Sequence, residues 1–238
     1  MSSHLWAAGG AHVELETMPV NLNDKHSMQR GAKYYVNYCM GCHSLQYSRY
    51  NRVAKDLGMT DKQVLNNLVF TGQKVGELMV NAMPTEDSAK WFGIAPPDLT
   101  VISRVRGADW LYSYLKGFYL DESRPYGVNN SVFPSVGMPH VLWELEGLKK
   151  QVHHAEQEPD DGHGGGHGAS KTQYELVVPG SMTEEEYDRA ARDLVNFLVY
   201  VGEPAKLVRR HGIWAILVLI LFLVAAYALK QDYWEDVH

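Results

Sequence analysis

The residues best equipped for chemistry stand together in one pentapeptide, Cys39-Met40-Gly41-Cys42-His43. Two thiols three positions apart share one face of a helical turn, and an imidazole follows directly. Cys-x-x-Cys-His is the pattern of covalent haem attachment. Both sulfurs can add to the two vinyl groups on one edge of a porphyrin, and His43 can then offer a neutral nitrogen to the iron. Other uses of these residues fit less well. A thioredoxin-like pair wants a βαβ context and has no need of the histidine. A structural zinc site needs four ligands, and the chain holds two cysteines in all, both in this motif. No disulfide framework is left to account for. Cytochromes of the c type in general imply attachment outside the cytosol, so a periplasm or an equivalent space is the expected setting, although the spacing itself does not show it.

A second axial ligand decides what such an iron does. With one protein ligand it can bind small molecules, as in a haem enzyme or gas sensor. With two it is closed and carries electrons. The downstream candidates are Met79, Met83, Met138 and Met182, or a distant histidine. Met138 lies in a loop dense in Pro and Gly, from Asp121 to Pro139, of the kind that wraps rigidly over something. It leads, and Met83, which also precedes a proline, is second. Any given methionine is more often core filler than ligand, so the residues alone leave both open.

Helical elements must position these groups. Asn23 or Asp24 caps a helix running to about Tyr38, with Met28, Ala32, Val36 and Cys39 on one stripe, so the haem motif closes the first helix. A short basic helix covers Ser48 to Leu57 and stops at Gly58. Thr60-Asp61-Lys62-Gln63 is a capping box that opens a helix to about Phe70, with Val64, Leu65, Leu68 and Val69 inward. Glu77 to Pro97 reads as connection. Gly107 to Tyr119 is helical, with Trp110, Leu111, Tyr114, Leu115 and Phe118 on one side. Val141–Leu145 and Tyr174–Val178 are short β-prone runs that could pair as a hairpin. Between them, residues 151–170 form a His/Gly-rich, low-complexity surface loop, and a metal site there is a minor reading. Thr183-Glu184-Glu185-Glu186 is a second capping box. Its helix turns Tyr187, Ala191, Leu194, Leu198 and Val201 inward until Gly202 and Pro204 interrupt it.

The bulk numbers exclude some partners. A formal net charge of −6 argues against nucleic acid. Acidic stretches at Glu184–Asp188 and Glu156–Asp161 could steer a basic protein partner. The first ten residues show neither a basic region nor a long apolar run; either an export signal has been removed or this is the processed chain, so the stretch does not place the protein in the cytosol. The other end is apolar throughout: Ile213–Leu229 carries no charge. At ~1.5 Å per residue it makes roughly 26 Å of helix, just short of a ~30 Å hydrocarbon core, and Trp214 and Tyr227 sit near its ends as interfacial rings do. Lys206, Arg209 and Arg210 before the span would by themselves hold the large domain in the cytoplasm. Long domains translocate largely regardless of such charge, and the haem motif outweighs it.

The ordered set of Cys39-x-x-Cys42-His43, Ala95-Pro96-Pro97-Asp98-Leu99 with Arg106 after it, Gly137-Met138-Pro139 and a C-terminal span resembles the cytochrome c₁ family, proteobacterial in type, from about Asn21 to the tail. The resemblance implies a mainly α fold: a class-I cytochrome c-like haem domain (1–203) with a short β-hairpin insertion, one transmembrane anchor helix (204–230) and a short cytoplasmic tail (231–238). It implies one covalently bound haem c on Cys39 and Cys42, with His43 and Met138 on the iron. Pro96 and Pro97 would line the haem, and Arg106 would pair with a propionate, which suits a two-pronged guanidinium. Trp110 falls where the family commonly has a tyrosine near the propionates. The implied activity is electron transfer within the quinol–cytochrome c reductase (bc₁) complex, from the Rieske iron–sulfur protein to a soluble or tethered c-type cytochrome. No substrate bond would be made by this chain itself. The implied setting is a bacterial inner membrane, haem domain periplasmic, in a dimeric complex with cytochrome b. An anchored monohaem cytochrome feeding a terminal oxidase is the alternative.

Overall fold

The first helix, α1 (Lys25–Tyr34), begins where the Asp24 carboxylate accepts the Ser27 N–H. It buries Ser27, Met28, Gly31 and Ala32 against the long helix α8 (Glu184–Gly202). The approach is close enough to forbid a side chain at position 31. A Cβ there would fall 2.0 Å from the Asp193 carbonyl oxygen and 2.7 Å from Phe197 Cβ. Polar bonds fix the register of this pair. Arg30 grips the buried Asp193 carboxylate with Nε at 2.5 Å and Nη2 at 3.0 Å, and Asn196 donates to Ser27 Oγ at 3.0 Å. Tyr35, Leu194 and Phe197 fill the seam, each worth about 2 kcal/mol or more in apolar burial.

The computed structural model describes residues 14–152, 173–209 and 212–235. It divides into two compact units, Met1–Gly202 and Glu203–His238. In the first, α1 is followed by a π-helical turn (Tyr35–Cys39), strand β1 (Leu45–Arg49), and helices α2 (Tyr50–Leu57) and α3 (Asp61–Asn67). Strand β2 (Leu78–Met79) pairs antiparallel with β1. Helices α4 (Thr85–Phe92), α5 (Ile102–Arg106) and α6 (Ala108–Lys116) come next. The chain then runs through β3 (Phe118–Leu120), β4 (Val128–Asn130), α7 (Trp143–Glu146), β5 (Gly147–Val152) and β6 (Gln173–Pro179) into α8. The larger sheet has the order β4-β3-β5-β6, with β3 and β5 parallel and the other pairs antiparallel.

Both capping boxes form as expected. Thr60 Oγ1 accepts the Gln63 N–H and Gln63 Oε1 accepts the Thr60 N–H. Glu186 and Thr183 exchange the same two bonds. Gly58 ends α2 in the left-handed conformation, φ 73°, that favours glycine. All five residues expected inward on α8 are buried.

Other elements depart from expectation. Leu65, expected in the core, is 43% exposed, and α3 stops at Asn67. The connection before Pro97 contains α4, signalled by acids in the first turn and Gly93 after the last. The helix over 107–119 ends at Lys116, and Phe118 opens a strand. The hairpin exists, but its first strand is Gly147–Val152, not Val141–Leu145. Leu142 and Leu145 are buried three apart, a helical spacing that β pairing cannot satisfy. The His/Gly-rich loop, apart from Gln151 and Val152, lies outside the described residues, as do Glu156–Asp161 and Arg210.

The second unit holds a short helix α9 (Lys206–Arg209) and the apolar helix α10 (Gly212–Glu235). Its 24 residues make about 36 Å at ~1.5 Å each, enough to cross a ~30 Å core with some tilt. The span from Gly212 to Trp234 is long and apolar enough for a membrane, and its side chains from Ile213 onward are exposed.

Candidate functional site

The π-helical turn delivers the Cys-x-x-Cys-His segment. Met40 N–H bonds back to the Tyr35 carbonyl at 2.9 Å, five residues away, which widens the helix at its end. The chain then turns tightly: the Cys39 carbonyl accepts both the Cys42 N–H at 3.1 Å and the His43 N–H at 2.9 Å. Cys39 and Cys42 therefore flank a single turn with His43 beside it. The two thiols are not joined to each other. Cys39 is buried, and desolvation pushes its pKa up to about 12. Burial raises Cys42 as well. A redox-active thiol pair needs the opposite, a lowered pKa that stabilises the thiolate, so the thioredoxin-like use is disfavoured on electrostatic grounds.

His43 is held from several sides. Its Nδ1 lies 2.7 Å from the Pro97 carbonyl oxygen. A carbonyl only accepts, so Nδ1 carries the proton and donates, leaving Nε2 as the basic nitrogen. Desolvation lowers the His43 pKa, against the opposing pull of the Pro97 bond and the nearby Asp98. The imidazole is thus neutral and correctly tautomeric for a metal. Its backbone carbonyl accepts from the buried Tyr35 hydroxyl at 2.5 Å.

Pro97 reaches the ring because its whole segment is docked on the motif. Leu99 N–H donates to the Ser44 carbonyl at 2.9 Å, and Asp98 Oδ2 accepts the Gln46 N–H at 2.7 Å. Pro96 is half-buried and Pro97 exposed.

Met138 arrives on a separate element, the loop after β4. Two asparagines shape that loop. Asn130, fully buried, donates to the Tyr114 carbonyl at 2.8 Å and accepts from Val132 N–H and Phe133 N–H. Asn129 Oδ1 accepts the Ser135 N–H at 2.8 Å, and Ser135 takes a positive φ of 63°. Met138 is half-buried against the cluster of Phe118, Val128 and Val136. After it, buried His140 stacks on Phe118, centroids 4.8 Å apart. His140 Nε2 stands 3.0 Å from Glu146 Oε2, though off the line a hydrogen bond needs.

The other methionines are placed differently. Met79 is fully buried in β2 opposite Leu45. Met83 is tied to the His43 side of the site: its N–H donates to Asn81 Oδ1, and Asn81 N–H donates to Ser44 Oγ. Met182 is half-buried just before α8, its N–H on the Leu145 carbonyl.

Arg106 and Trp110 come together, with the guanidinium 4.9 Å over the indole and 5.7 Å from the Phe133 ring. Trp110 in turn stacks on Tyr114 at 4.9 Å and 11°, and the Tyr114 hydroxyl lies 3.3 Å from Met138 Sδ. The thiols, the imidazole and Met138 were the residues expected from sequence. Sequence reasoning missed Tyr35, Tyr114, Asn130 and the identity of the carbonyl behind His43. Pro97 was expected to line the haem, and its carbonyl oxygen as the partner of His43 was not foreseen.

These residues fit a covalently attached haem. The thiols are adjacent and unpaired, the imidazole is neutral with Nδ1 committed, and a thioether comes from a different loop. A mainly helical domain carrying such a turn, followed by one apolar helix, defines a membrane-anchored cytochrome of the c type. The Cytochrome C1 family model matches residues 16–68, and cytochrome c1 of Allochromatium vinosum is 50% identical over 98% of this chain and 93% of that protein. The chain belongs to the cytochrome c₁ family. The ammonia monooxygenase gamma subunit of Nitrosomonas europaea is 45% identical over 97% of this chain and 92% of that protein. Cytochrome c1 of Cereibacter sphaeroides is 24% identical over 97% and 90% respectively. Proteins of this family carry one covalently bound c-type haem and form the haem subunit of the bc₁ complex, beside cytochrome b and Rieske subunits.

Proposed function

We propose that this chain is the electron-transfer subunit that relays single electrons from the Rieske iron–sulfur protein to a soluble or tethered c-type cytochrome. It does so in a dimeric complex of a bacterial inner membrane, with residues 1–203 periplasmic and α10 as the anchor. Cys39 and Cys42 would hold the haem covalently, and His43 and Met138 would be the protein groups that ligate its iron. When bound, that group supplies a one-electron couple whose potential Met/His ligation raises relative to most other ligand pairs.

The protein's residues supply placement and environment. Pro97 fixes the His43 ring and its tautomer. Tyr35 fixes the His43 backbone. Asn129 and Asn130 set the loop that presents Met138. Burial around Phe118, Val128 and Val136 disfavours added positive charge, which pushes toward the reduced state. Arg106, steadied by Trp110 and Phe133, is an available guanidinium for a propionate. Attachment of c-type haem outside the cytosol supports the periplasmic side.

The observation that carries this reading is the 2.7 Å bond from His43 Nδ1 to the Pro97 carbonyl. It ties the attachment motif to the Pro-Pro-Asp-Leu stretch and leaves one imidazole nitrogen to ligate. Two variants test the ligand set. Met138→Leu lowers the midpoint potential and lets the reduced protein bind carbon monoxide, whereas Met83→Leu does neither. The reverse pattern would transfer the role to Met83.

A further inference from the structure

The Met138 thioether has a hydrogen-bond partner of its own. Tyr114 Oη lies 3.3 Å from Sδ, and of the two groups only the phenol has a proton to donate. The donor has little freedom. Its ring lies flat on Trp110, 4.9 Å between centroids and 11° between planes. It meets Phe118 edge-on at 5.3 Å and 72°. Its backbone carbonyl is held by Asn130, the same residue whose side-chain oxygen anchors the loop toward Met138.

A thioether sulfur has two lone pairs and is a weak acceptor. A hydrogen bond on one of them fixes which lone pair remains for a metal. It also draws electron density off the sulfur. An oxidised iron gains more from that density than a reduced one, so the bond weights the couple toward reduction. We infer that Tyr114 is a positioning residue that orients the Met138 sulfur and raises the potential of the site through this hydrogen bond. The inference rests on Met138 being the axial ligand. No sequence motif carries it, because Tyr114 shows only as one of five aromatic and aliphatic residues on a helix face.

Tyr114→Phe in the full-length, haem-loaded protein tests it. The substitution keeps the ring, its stack on Trp110 and its edge contact with Phe118, and removes only Oη. The expected result is a lower midpoint potential, equivalent to about a fivefold shift in the reduced-to-oxidised ratio at fixed potential. The near-infrared charge-transfer band of a thioether on ferric iron is expected to persist at a shifted wavelength. A role in packing alone would move neither readout, and an unchanged potential with an unshifted band overturns the inference. If the variant fails to fold, proton NMR of the reduced wild-type protein serves. A dipolar contact between the Tyr114 hydroxyl proton and the Met138 methyl group supports the inference, and its absence overturns it. Met138→Leu separates the two levels. Survival of the charge-transfer band in that variant overturns the ligand assignment itself. Its loss, beside an unchanged potential in Tyr114→Phe, overturns only the role of Tyr114.

Discussion

His43 is held at its N–H by the Cys39 carbonyl, at its own carbonyl by Tyr35 and at its ring by Pro97. Of these contacts, Tyr35 makes the most exacting prediction. It is fully buried and its hydroxyl has one acceptor, the His43 carbonyl at 2.5 Å. Tyr35→Phe keeps the ring contact with Phe197 and leaves the His43 carbonyl short of this donor. The expected cost is about 1–2 kcal/mol of unfolding free energy, read as a lower denaturant midpoint at unchanged slope. At this scale the sequence showed the groups whose chemistry depends on local spacing. Cys39, Cys42 and His43 are legible because three consecutive constraints fall within one turn. Met138 stands out in part from its Pro/Gly setting, and its assignment as a ligand comes only from family resemblance. The Pro97 carbonyl, Tyr35 and Tyr114 are not legible. A backbone oxygen has no residue signature, and a buried tyrosine looks the same in sequence whether or not its hydroxyl has a functional neighbour.

The helix pair α1–α8 is the element on which the site stands, since α1 runs directly into the π-helical turn that presents Cys39. Gly31 is its closest point. Helix propensity alone would favour alanine there by about 1 kcal/mol. The Cβ would sit 2.0 Å from a backbone carbonyl of α8, which no rotamer change relieves. Overpacking against backbone costs about 3 kcal/mol and outweighs the propensity gain. Gly31→Ala is therefore expected to lower the thermal midpoint, and a stabilised protein would refute the close approach. Helix starts were readable wherever a capping box or an acidic first turn was recognised, as at Thr60 and Thr183. The same logic at Thr85-Glu86-Asp87 marks α4, which was passed over as connection because its flanks are rich in proline. The hairpin was placed one element early. Lys149, Lys150 and Gln151 mask the alternation of β5, while the apolar run before it packs as a helical turn. Strand β2, two residues long, offers no pattern to read.

As a whole, the molecule joins a cytochrome domain to an apolar helix, and neither part alone states the function. On the proposed function, the domain supplies a ligand pair from two separate loops, and α10, long and apolar enough to cross a membrane, supplies the anchor beside the quinol-oxidising subunits. The composition and the apolar run made the anchor plain from sequence, and the helix that carries it runs from Gly212 through Lys230 to Glu235. The account stands on an iron held from both faces by His43 and Met138 in the intact chain. Its most direct test is the absorption spectrum of the purified, reduced, full-length protein before and after addition of carbon monoxide. The account predicts a c-type spectrum that the gas leaves unchanged. A colourless protein, or a reduced spectrum that shifts promptly to that of a carbon monoxide adduct, would contradict it.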